Sequence, residues 1–100
     1  MKKYELDIPY TTITDENAFE LMRVWAAHGK QHVAINAGLH QGAEGFGIII
    51  GELILHGVSL YSERENISED EAAEKIIKTI GQVLSERSAS GQIKTQANTN

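Results

Sequence analysis

The chain has 100 residues, a formal net charge of −5 and a pI near 5.3, with 41% hydrophobic and 23% charged residues. That fits one domain, and the scattered Lys and Arg side chains offer no basic patch for nucleic acid. The absence of cysteine excludes disulfides, thiolate metal sites and a Cys nucleophile.

Taken in chain order, Tyr4, Leu6 and Ile8 alternate with Glu5 and Asp7, which predicts a half-buried strand ended by Pro9. Thr14 then offers a helix N-cap, followed by Asp15 and Glu16, where the helix dipole favours acids. Ala18, Leu21, Met22 and Trp25 recur at helical spacing, and Gly29 stands where a left-handed C-cap belongs. This predicts a helix over 15–28. Val33 and Ile35 predict a second strand over 31–36, closed by the turn residues Asn36-Ala37-Gly38. A whole helix between the strands permits a parallel pair joined by a β-α-β crossover, with an antiparallel arrangement as the alternative.

Residues 43–64 are the most apolar part of the chain, and a helix apolar nearly all round is buried on more than one side. Ala43, Gly47 and Gly51 recur every four residues, the spacing that admits close helix packing within the chain or across a two-fold axis. Ser68-Glu69-Asp70-Glu71 is a capping box. Behind it Ala73, Ile76, Ile77, Ile80, Val83 and Leu84 form one apolar face of a helix that reaches Arg87. Residues 88–100 are polar and predict a disordered tail. The expectation is therefore a single α+β domain over 1–87. Its two short strands and three helices run in the order β-α-β-α-α, with the helices packed on a small sheet.

The chemistry is sparse. Glu52 and His56 lie four apart on one helix face, the least that acid–base work needs. The plain alternative is a polar pair that fixes how the helix docks. His28, His32, His40 and His56 lack metal-ligand spacing, so no metal is expected. Trp25 reads as a core or interface anchor before it reads as a ligand platform. The glycines around Gly42 match neither a phosphate loop nor a dinucleotide fingerprint, and no cofactor is expected. No Ser or Tyr has the surroundings of a catalytic nucleophile.

Arg23-Val24-Trp25-Ala26-Ala27-His28-Gly29-Lys30-Gln31-His32-Val33, then Phe46-Gly47, then Glu52-x-x-x-His56, resembles a family of small bacterial proteins of about this length. Its domain has no assigned function. The resemblance covers Leu6 to Ile80 and departs at Tyr10, where a second proline is expected after Pro9. It implies a free-standing module, and it brings no activity, substrate or partner with it.

These readings lead to a non-enzymatic interaction or regulatory module, cytoplasmic, acting as a homodimer or through a protein partner, with neither nucleic acid nor membrane. The alternative is a small-molecule-binding protein or minor enzyme with no assigned catalytic residue. Its pocket would be built from Trp25, His32, Glu52 and His56.

Overall fold

The computed structural model describes residues 5–38 and 41–89. The elements are α1 (Tyr10–Ile13), β1 (Met22–Ala27), β2 (Lys30–Ile35), α2 (Gly42–Glu65) and α3 (Glu69–Ala89). The α+β class stands, with two strands and three helices, but the elements before Asn36 are distributed differently from the sequence expectation. The chain divides into two compact units, one ending at Gly45 and the other beginning at Phe46.

The first unit is built around a β-hairpin. Residues 5–9 alternate in polarity but carry no strand; Tyr4 lies outside the described residues. Pro9, with no N–H to lose, caps the single turn of α1, and Thr12 N–H donates to its carbonyl at 2.9 Å. The helix expected over 15–28 is absent. Thr14, its expected N-cap, ends α1 instead, and its Oγ1 donates back to Thr11 O at 3.0 Å. Asp15 then closes a turn by accepting the Asn17 N–H at 2.9 Å.

From Met22 the alternation of Met22, Val24 and Ala26 with Arg23, Trp25 and Ala27 takes over, and the segment is extended. The deciding residues are His28 and Gly29, at φ 54° and 71°. Two successive left-handed residues make a two-residue hairpin turn of the type whose twist matches the strands. Gly29 is thus a turn residue and not a helix cap. Strands β1 and β2 pair antiparallel with Trp25 opposite His32 and Val24 opposite Val33, so no crossover exists. Asn36 N–H extends the ladder to Leu21 O at 2.9 Å.

The second unit is a helical hairpin whose two helices form where the pattern places them, but the expected burial of α2 on more than one side is not met: Phe46, Ile48, Leu53, Leu55 and Leu60 are exposed in the single chain. Helix α2 ends in a Schellman motif: Asn66 adopts φ 56°, Ile67 N–H reaches Ser62 O at 3.0 Å, and Asn66 N–H reaches Glu63 O at 3.3 Å. Ser68 caps α3 as its motif predicts, accepting the Glu71 N–H on Oγ at 3.0 Å. Ile67 and Ala72 occupy the two positions of a hydrophobic staple and line one groove. Ser68→Ala should lower stability by about 1 kcal/mol, read as a lower midpoint in thermal unfolding followed by circular dichroism. Helix α3 runs to Ala89, two residues past the expected end, so the first two positions of the expected tail are helical; residues 90–100 lie outside the described residues.

Candidate interaction surface

Alternation sorts the hairpin into two faces. Met22, Val24, Val33 and Ile35 share one, and Arg23, Trp25, Lys30 and His32 the other. The apolar face is open: Val24 is 54% exposed and Val33 47%. On the polar face Arg23 clamps the preceding chain, with Nη1 2.9 Å from Glu5 and Nε 2.7 Å from Glu20. The hydrogen bond with Glu20 is the main reason the guanidinium titrates above its ordinary range. This chain segment and β1 enclose a cavity of about 480 Å³, lined by Glu5, Ile8, Phe19, Arg23 and Trp25 among others.

In the second unit, α2 meets α3 near their turn. A Cβ on Gly57 would lie 3.9 Å from Ile76 Cδ1, and Ser62 Oγ donates to Ile67 O at 2.7 Å. Beside this contact runs an apolar groove of about 520 Å³, with Tyr61, Ile67, Ala72, Ile76, Ile80 and Val83 in its walls. Lys75, 4.0 Å from Glu65 and 3.9 Å from Glu71, stands at its rim. At 100° per residue, the polar residues Glu52, His56, Ser59 and Glu63 gather on one narrow side of α2. That side lies opposite the one that meets α3. Phe46, Leu53 and Leu60 flank it on one hand and Ile48 and Leu55 on the other, all exposed.

Burial is thin throughout. Among the described residues only Val58 and Ala72 are buried apolar side chains, against eighteen large apolar ones left exposed.

The candidate site residues fall into two pairs. Trp25, half-buried, and His32, exposed, face each other across the hairpin. The Ala27 carbonyl, 3.0 Å from His32 Nε2, can only accept, so that nitrogen carries the proton. Glu52 and His56 are exposed on α2, joined by no hydrogen bond or ion pair among the described residues. The pairs belong to different units. Trp25 lines the hairpin cavity, while His32, Glu52 and His56 line neither that cavity nor the helix groove. Among the described residues no three His, Asp or Glu side chains are placed to hold a metal; His40 lies outside them. The clamp residue Arg23 passed in the sequence as one scattered cation. Its only local signal was Glu20 three residues before it.

Comparison with known proteins adds a family and a fold. The model of a domain of unknown function, DUF5076, matches residues 5–88. A solved structure from the photosynthetic bacterium Rhodopseudomonas palustrus CGA009, described as a "putative pyruvate dehydrogenase", superposes with a TM-score of 0.69 at 20% identity. The match covers 99% of this chain and 92% of that one. At that identity the likeness shows the fold alone. No curated protein matches the chain.

Proposed function

This chain belongs to the DUF5076 family, a domain of unknown function, and from that premise we propose that it is a non-enzymatic interaction module completed by a second copy of itself. One observation carries the reading: eighteen large apolar side chains are exposed in the single chain, and among the described residues only Val58 and Ala72 are fully buried apolar ones. Exposed apolar surface on this scale marks association.

Helix α2 is also long and apolar enough, by length and composition, to cross a membrane. A bilayer is the poorer cover. It would hold Glu52 and His56 in hydrocarbon near the middle of the helix, where ionisable groups are costly. A second chain can leave that narrow polar stripe in water while covering both apolar flanks.

Sedimentation velocity across a hundredfold range of concentration tests the reading. The expected species has twice the 11.0 kDa of the chain, with a thermal midpoint that falls on dilution, as mass action requires of a dimer. A folded species of 11.0 kDa at micromolar concentration overturns it.

A further inference from the structure

We propose that the outer edge of β2 pairs antiparallel with the β2 edge of the second copy, joining two hairpins into one four-stranded sheet about a two-fold axis. This deepens the dimer reading above and rests on it.

The parity of the ladder locates the free groups. Asn36 N–H bonds to Leu21 O, and the strands keep that register to the turn. Hydrogen-bonded and non-bonded pairs alternate in such a ladder. Arg23–Ala34, Trp25–His32 and Ala27–Lys30 are therefore the bonded pairs. Gln31, Val33 and Ile35 turn their N–H and C=O groups outward, and no partner reaches them among the described residues. All six residues of β2 are exposed.

Proteins that keep an edge solitary blunt it with proline, a bulge or inward charge. Strand β2 has none of these in its interior; its one charge, Lys30, stands at the end. The outer edge of β1 differs. Residues 5–9 and the Glu5–Arg23 ion pair run beside it. Self-pairing there would bring Glu5, Asp7 and Glu20 of two copies together, and like charges across a sheet repel.

The β2 sequence is self-complementary instead. With the axis at Val33, Val33 meets the partner's Val33, Gln31 meets the partner's Ile35, and His32 meets the partner's Ala34. The two Lys30 ammonium groups then stand about 20 Å apart at a strand rise near 3.4 Å, beyond the screening length of roughly 8 Å. Met22, Val24, Val33 and Ile35 of each copy come to lie on one side of the joined sheet. That makes a continuous apolar face on four strands, where a lone two-stranded hairpin is marginal in water.

Amide exchange by NMR on the full chain, at a concentration where it is dimeric, reads the edge directly. The Gln31, Val33 and Ile35 amides should exchange at least 100-fold more slowly than the Val24 amide, which points outward from β1. A matched pair of variants gives a second reading. Val24 and Val33 oppose each other in one non-bonded pair, so Val24→Pro and Val33→Pro each spare the hairpin's own hydrogen bonds. Val33→Pro should sediment as a monomer and Val24→Pro as a dimer. A dimeric parent whose Val33 amide exchanges as fast as that of Val24 overturns the edge pairing and leaves the dimer standing. A monomeric parent overturns both. The exchange measurement decides the matter even if a proline variant does not fold.

Discussion

Leu53→Asp should dissociate the protein and cost about 3–5 kcal/mol, the range for a charge left buried without a partner. The position is diagnostic because Leu53 is 49% exposed in the single chain. A solitary monomer would barely register the change, since surface substitutions usually stay within about 0.5 kcal/mol. Leu53 lies in a row with Phe46 and Leu60, seven residues apart on α2. A covering chain that reaches one of the three reaches its neighbours. Sedimentation of the variant beside the parent checks the result. An unchanged mass and an unchanged melting point would leave this flank of α2 outside the interface.

Ala72→Asp should unfold the helical hairpin, with a loss of similar size. Ala72 is 2% exposed and lines the groove together with Ile76, the residue that meets Gly57. Lys75, one turn along α3, lines the same groove beside Glu65 and Glu71. A carboxylate there must be desolvated or protonated. Ala72→Gly separates this effect from helix propensity, and should cost only about 1 kcal/mol. Far-ultraviolet circular dichroism through thermal unfolding distinguishes the two, because about 1 kcal/mol moves the midpoint of a chain this size by 4–8 °C. If the aspartate variant melted with the parent, the contact between α2 and α3 would contribute little to the fold.

The two long helices were legible in the sequence and the hairpin was not, for a physical reason. Along α3, capping box and apolar period point to the same element, and the element forms. Between residues 18 and 25 two periods overlap. Ala18, Leu21, Met22 and Trp25 fit a helical stripe, while Met22, Val24 and Ala26 fit the alternation of a strand. Local pattern does not choose between them; the turn does. His-Gly is an uncommon way to write a two-residue hairpin turn, which more often carries Asn-Gly or Asp-Gly. At the end of a helical stripe the same dipeptide reads as a cap. The alternation over residues 5–9 failed for the opposite reason: it had the pattern of a strand but no backbone ladder, only the side-chain clamp from Arg23. At the candidate site, the spacing of Glu52 and His56 was readable, and the structure does place them on one face of α2. Pairing within the single chain does not follow from that spacing, and the cross-strand meeting of Trp25 and His32 required the hairpin to be known.

Both units are hairpins whose arms are neighbours in sequence, one closed at His28-Gly29 and the other at Asn66. Contacts so local close quickly, within microseconds for a β-hairpin of ordinary length. The first hairpin is complete in sequence by Ile35, well before α3 begins, so it can form on the ribosome while the helices are still being made. What comes afterwards, the covering of Phe46, Leu53, Leu60 and their neighbours, waits on an encounter between two finished chains. Recovery of native structure after dilution from denaturant should therefore speed up in proportion to protein concentration, with the rate set by how often two chains meet.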